Sequence, residues 1–316
     1  MMAAPEAPAA AVGPPDLARL TAALCEVLGG PVTVLHRTPC PRSSTAASEI
    51  LTCRLPDGAT VRLRGKYGAD DARAATYGHK GGVPFEAVVY REILPAFRDC
   101  TVPFRGAHGE GETWLFCDYL ADVLHLHKVD DALALGARWA GCFHRANEGR
   151  RPPLLGSYDR PYFLGWAERT ARFAGDLKRD LPWLTPLCDR FTEAADLLLA
   201  APQTVIHGEF YPLNILASGR KVYPIDWESA AVAAGEIDLA CLTEGWADED
   251  VAACERLYQD TRWPGRPTHP FERSMAAARA YVALRWLGER PEYTQSEDRR
   301  DYFRQLRLAG ERLGLI

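Results

Sequence analysis

The sequence predicts an α+β chain, a small antiparallel sheet followed by a mainly helical region. Three observations carry this. Short runs of alternating apolar and polar residues fall at 32–36, 49–55 and 60–66, all in the first third of the chain. Pro56-Asp57-Gly58 between the last two has the composition of a tight hairpin turn. Beyond residue 121, apolar positions recur at helical spacing between turns bearing Pro and Gly. Strands first and helices later is the order of an α+β chain, not of alternating strand–helix units.

With 316 residues the chain can bury a sizeable core in one large or two modest domains. A net charge of −5 and a pI near 5.9 give no footprint for nucleic acid. Nine scattered cysteines, an odd number with no Cys-x-x-Cys pair, argue for reduced thiols and a cytoplasmic protein. The start, MMAAPEAPAAAVGPP, has no basic residues and several prolines, unlike a signal peptide, and residues 1–15 read as a disordered tail. Without an apolar run of about 18 residues, no membrane partner is expected.

In order, Asp16 is placed to cap a helix whose apolar face is Leu17, Leu20, Leu24 and Val27-Leu28, ended by Gly29-Gly30. The first two strands are joined by residues 37–48, containing Ser43 and Ser44. The third strand alternates so that Arg62, Arg64 and Lys66 share one face. Only five of the 37 basic residues are lysines, so Lys66 at a strand end stands out, with Arg64 as the rival cation. The run PFEAVVYREILPAF predicts a helix with Pro84 in its first turn. Its Glu86 and Glu92 lie about 600° apart around the axis and so face different ways. A last apolar strand is expected at 113–117. Helices are then predicted at 131–146, 162–177 and 186–200, with His144 read as structural, and later at 248–259, 270–287 and 295–313. His125 and His127 have no third ligand at metal-like spacing and read as solvent or core histidines. Trp246, Asp248, Glu249, Asp250, Trp263, Tyr281 and Trp286 are candidates for a pocket wall, equally readable as core and solvated face.

The chemistry concentrates in HGEFYPLNILASGRKVYPIDWE, residues 207–228. A polar cluster, His207-Gly208-Glu209, follows the apolar run Thr204-Val205-Ile206. Asn214 opens a second apolar run, Ser218-Gly219-Arg220-Lys221 turns the chain, and a return strand ends at Asp226. Folding this hairpin is expected to bring Asp226 back beside Asn214, twelve positions earlier. Glu209, Asn214 and Asp226 then supply what phosphoryl transfer needs: one group to orient a hydroxyl and two hard oxygen ligands for Mg²⁺.

The spacing His-Gly-acid-x4-Asn, then a hairpin, then Ile-Asp-Trp-Glu, resembles the aminoglycoside phosphotransferase and choline kinase-like family, which shares the protein-kinase fold. The resemblance extends to Lys66 in Lys-Tyr-Gly after the third strand and to Glu86 in a Glu-x-x-x-Tyr setting. It implies a bilobal protein-kinase-like fold: a nucleotide-binding lobe at 16–117, a hinge at 118–120, and a helical lobe at 121–316 with catalytic loop and acceptor pocket. It implies Glu209 and His207 as catalytic, and Asn214 and Asp226 as metal ligands. Lys66, Glu86, Ser43, Ser44, Asp118 and Leu120 would bind nucleotide, and Asp238 would brace the catalytic loop. The implied enzyme uses Mg²⁺ and ATP or GTP to phosphorylate a hydroxyl of a small acceptor, such as an antibiotic, a natural product or a metabolite. Only about ten positions separate Glu228 from Asp238, too few for a peptide-docking segment, which favours a small acceptor. The family usually has Asp at the position of Glu209. That departure motivates the alternative of a nucleotide-binding pseudokinase without transfer.

Overall fold

The computed structural model describes residues 13–40, 46–69, 77–110, 112–265 and 270–316. By its internal contacts the chain divides into two compact units, one of Met1–Val123 with Tyr223–Ser229, the other of Leu124–Val222 with Ala230–Ile316. The segment carrying Asp226 therefore groups with the N-terminal unit, although its neighbours in sequence group with the second.

In the first unit, helix Leu17–Leu28 starts where the Asp16 carboxylate accepts the Arg19 N–H (2.9 Å), and it ends at Gly29 with φ +72°. Strands β1 (Thr33–Pro39), β2 (Ala47–Arg54), β3 (Thr60–Ala69), β4 (Phe104–His108) and β5 (Glu112–Asp118) form an antiparallel sheet ordered β1-β2-β3-β5-β4. Strand β4 was not expected from the sequence. It is a short edge strand with an irregular register at Phe104/Gly106, and FRGAH shows no apolar alternation. Leu51, Leu63, Tyr67, Trp114 and Phe116 of the sheet pack with Leu20 and Leu24 of the helix. Helix Gly82–Glu92 follows, shorter than expected because the chain tightens into a 3₁₀ segment at Leu94–Cys100.

The second unit is mainly helical, with its principal helices at Ala132–Asn147, Arg160–Phe173, Thr192–Ala200, Asp248–Arg262, Phe271–Leu287 and Arg300–Leu313. The helix expected at 186–200 is two pieces, Leu184–Asp189 and Thr192–Ala200. Strand β6 (Leu124–His125) belongs to one sheet with β8 (Ile215–Ser218) and β9 (Lys221–Pro224), the arms of the expected hairpin. Strand β7 (Gln203–Ile206) pairs with β10 (Ala231–Ala234), which the sequence hid: all four of its residues are buried, so it has no polar alternation. Helix Phe271–Leu287 is buried on nearly every side and holds Met275, Tyr281 and Leu284 in the core. Among the described residues no helix is long and apolar enough to cross a membrane.

Candidate active site

In the N-terminal unit a strand, a helix and a turn converge on Lys66. Alternation along β3 sends its side chain inward, where it is buried, and Nζ donates to Glu86 Oε2 at 2.6 Å and to Asp226 Oδ1. Glu86 lies mid-helix in Gly82–Glu92, and its other oxygen accepts the Trp227 N–H at 3.3 Å. One carboxylate thus ties the lysine strand to the backbone beside Asp226. Glu92 points elsewhere, toward its sequence neighbour Arg91, whose Nε donates to it at 3.1 Å. Burial works against a charged Lys66, but Asp226, Glu86 and Glu228 outweigh it and raise its pKa. Burial likewise opposes a charged Asp226, and Lys66 outweighs it, holding the carboxyl below its ordinary range.

Asp226 has φ +70°, a left-handed conformation uncommon for a residue with a Cβ. The chain is held there by Trp227, fully buried, whose Nε1 donates to the Pro224 carbonyl at 3.2 Å. Next to it Glu228 accepts from Lys80 Nζ at 3.0 Å, and the Gly81 N–H donates to the Glu228 carbonyl at 2.7 Å. Burial raises the Glu228 carboxyl, which the nearby lysines only partly offset. Neither Lys80 nor Glu228 was assigned a role from the sequence. Arg64 shares the face of Lys66, and its buried Nε has no hydrogen-bond partner among the described residues.

In the second unit the loop after β7 is fixed through its backbone. Asp238, fully buried in helix Glu236–Leu242, accepts the His207 N–H at 2.7 Å and the Gly208 N–H at 2.8 Å. Gly208 has φ +85°, which lets two successive N–H groups turn toward one carboxylate. Asp238 is itself held at 3.1 Å by His144 Nε2, and Nδ1 of that ring lies 2.8 Å from the Tyr258 hydroxyl. Arg262 donates to the Tyr258 oxygen at 2.6 Å. The directions follow by counting protons: Arg262 can only donate, so the tyrosine proton goes to His144 Nδ1, and Nε2–H serves Asp238. Burial lowers the His144 pKa against the opposing pull of Asp238, in keeping with a neutral ring. A Cβ on Gly235 would fall within 2.6 Å of Arg262, Tyr258 and His144, so only glycine leaves room for this chain of bonds.

Glu209 emerges from that loop nearly buried, with Arg285 Nη1 at 3.0 Å from its Oε1. Its carbonyl accepts the Tyr211 N–H at 2.7 Å and the Asn214 side-chain N–H at 3.0 Å. His207, grouped with Glu209 as catalytic from sequence, is fully buried, and its Nδ1 accepts the Glu209 N–H at 3.3 Å. That placement suits a brace of the loop.

The remaining candidates scatter. Asp118 ends β5 and accepts two bonds from Arg105 at 2.6 and 2.9 Å, while half-buried Leu120 follows it. Ser43 and Ser44 lie outside the described residues. The rings of His125 and His127 stack, and His125 Nδ1–H donates to the Leu213 carbonyl at 2.7 Å. No group of three or more His, Cys, Asp or Glu among the described residues is arranged to hold a metal. Tyr281 sits in a buried aromatic cluster with Tyr158, Tyr162 and Phe163, and Trp286 packs on Tyr211. Asp248, Glu249 and Asp250 form the first turn of an exposed helix end.

Solved structures similar to this chain are small-molecule kinases with the protein-kinase-like fold. Choline kinase LicA from Streptococcus pneumoniae matches over 93% of this chain and 96% of its own at a TM-score of 0.60 and 14% identity. Macrolide 2'-phosphotransferase MphH from Brachybacterium faecium matches over 92% and 98% at 0.56 and 18%. The GDP complex of aminoglycoside 2'-phosphotransferase-IIIa matches over 94% and 98% at 0.63 and 11%. No family model matches the sequence, and no curated protein does. The fold is therefore that of the protein-kinase-like small-molecule phosphotransferases.

Proposed function

We propose that this chain transfers the γ-phosphoryl group of ATP or GTP to a hydroxyl of a small molecule such as an antibiotic, a natural product or a related metabolite. The observation that carries the reading is the buried Lys66 ammonium shared by Glu86 and Asp226 in a fold otherwise found in phosphotransferases. Lys66 binds phosphate oxygens and Glu86 fixes its direction. Glu209 orients the acceptor hydroxyl and takes its proton as oxygen bonds to the γ-phosphorus and the nucleoside diphosphate leaves.

Asp226 and Asn214 each offer a hard oxygen of the kind Mg²⁺ takes. Asp226 offers a part-exposed carboxylate held in its charged form, and the Asn214 amide nitrogen is committed to the Glu209 carbonyl, which leaves its oxygen as the ligand atom. Bound there by Asp226 and Asn214, the ion would neutralise phosphate charge. The backbone after β5, at Asp118 and Leu120, is the proposed holder of the base. A neighbour of this fold solved with ADP and spectinomycin supports a nucleotide paired with a small acceptor.

The test is transfer of label from [γ-³²P]ATP and [γ-³²P]GTP to a panel of hydroxylated antibiotics, amino alcohols and sugars. Labelled acceptor supports the reading, and nucleotide binding without transfer to any acceptor favours the pseudokinase. That second reading draws on Glu209, whose extra methylene moves the carboxylate by about 1 Å, a displacement that can lower rates by about 10²-fold.

A further inference from the structure

Arg285 has no role in the preceding scheme, yet it is a buried cation in contact with Glu209. It lies in helix Phe271–Leu287 and is buried there with side-chain exposure of 3%. A guanidinium so placed cannot shed its charge and must be met by acceptors. Nη1 lies 3.0 Å from Glu209 Oε1, and Nη2 donates to the Tyr211 hydroxyl at 3.1 Å. Trp286 Nε1 donates to the same hydroxyl at 2.7 Å, and the Trp286 ring centre lies 3.9 Å from the guanidinium carbon. Glu289, one turn on, adds a second negative charge at 3.7 Å. Arg285 therefore grips one loop at two points two residues apart, with its own head fixed by a neighbouring ring.

This arrangement gives the glutamate at 209 a physical reason. A glutamate has one more rotatable bond than an aspartate, and an untethered carboxylate spreads over more directions. Contact with Arg285 Nη1 restricts that freedom, while Nη2 on Tyr211 fixes the guanidinium itself. We propose that Arg285 is a positioning residue that aims the Glu209 carboxylate at the acceptor hydroxyl. The inference rests on the phosphotransferase reading, with Glu209 as the base.

The experiment is steady-state kinetics on an acceptor found in the label screen, for wild type, Arg285→Lys, Arg285→Met, Glu209→Gln and Glu209→Gln/Arg285→Met, with melting curves for each. In Arg285→Met kcat should fall by about 10- to 100-fold, as for a misplaced catalytic group, with both KM values little changed. Arg285→Lys keeps the charge but not the fork and should recover part of the loss. In the Glu209→Gln background Arg285→Met should cost almost nothing further, because no carboxylate remains to aim. Where Arg285→Met fails to fold, the lysine variant decides, and the double variant, a neutral pair, supplies the folded control. Wild-type kcat in the lysine and methionine variants, or the same fold loss in both backgrounds, overturns the positioning role alone. A wild-type chain that labels no acceptor overturns the phosphotransferase reading, and the inference falls with it.

Discussion

The Lys66 cluster and the Asp238 network hold their parts by opposite means. At Lys66 one cation is shared between two carboxylates, and the Asp226 side chain keeps 27% of its surface exposed. At Asp238 a histidine ring and two backbone N–H groups converge on a carboxylate with no exposure at all, and a tyrosine hydroxyl holds the far side of that ring. Ion pairs bind through charge and tolerate a change of partner, so a phosphate can compete for Lys66. A directed run of hydrogen bonds, from Arg262 through Tyr258 and His144 to Asp238, has one arrangement in which every donor meets an acceptor, and so fixes backbone. On the proposed function the first cluster exchanges partners and the second stays still.

Substitutions in the exchanging cluster should have the largest effects. Asp226→Asn removes the anionic oxygen while keeping size, and transfer should drop by about 10³-fold or more, the scale of several kcal/mol from a metal ligand. The melting curve should remain cooperative. Wild-type turnover of Asp226→Asn at saturating Mg²⁺ would show that the carboxylate holds no metal. Asn214→Ala should lower activity less, an amide being the weaker ligand. Lys66→Ala should follow, weakening productive nucleotide binding by about 10²-fold, the scale of one charge-assisted hydrogen bond to phosphate. It also leaves Glu86 and Asp226 facing each other without a cation, a loss of about 3–5 kcal/mol where a buried pair is broken. Arg64→Ala should do much less, and nucleotide titration of both variants checks the order. A larger defect in Arg64→Ala would move the phosphate role to that side chain.

What could be read in the sequence divides along the same line. Lys66, Glu86 and Asp226 lie in or beside elements whose periodicity or turn chemistry is visible in the sequence, although β3 runs three residues past Lys66, where the strand was expected to end. The helix geometry that separates Glu86 from Glu92 could be worked out before any fold. The still network was mostly illegible, because Asp238, His144, Tyr258 and Arg262 come from three helices and meet only through tertiary packing. Arg285 left one clue: an arginine within Ala278-x-x-Tyr281-Val282 spacing, on a face that is otherwise apolar, must find a partner inside. Strands β4 and β10 escaped notice for lack of alternation, one at an edge and the other wholly buried.

Tyr258→Phe sharpens the comparison from the other side. It removes one hydroxyl, leaving Arg262 without that acceptor and His144 Nδ1 without a donor, both fully enclosed. Unmet buried groups of this kind cost about 1–3 kcal/mol each, so the melting temperature should fall. Turnover should decline only a few-fold, about the scale of 1 kcal/mol, because Asp238 still accepts both loop N–H groups. A loss of turnover as large as that of Asp226→Asn, with unchanged melting, would mean that the network takes part in chemistry and that the contrast between the two clusters is wrong.

The smallest effect is a pH dependence confined to the still network. His144 has its pKa lowered by burial, against the ordinary histidine value of about 6.5. Below that value an unfolded chain takes up a proton that the native ring refuses. The unfolded state then binds more protons, so stability falls as pH drops below about 6.5 and is fully restored above it. Glutamine at 144 offers an amide NH₂ as donor and a carbonyl as acceptor and does not titrate, so His144→Gln should lack this decline. The measurement is the melting temperature of wild type and His144→Gln from pH 8 to 5, where all other titrating groups are common to both. A wild-type curve that parallels the variant through this range would show that the ring takes up a proton in the folded chain, as a charged partner of Asp238, and would make the second cluster an ion pair like the first.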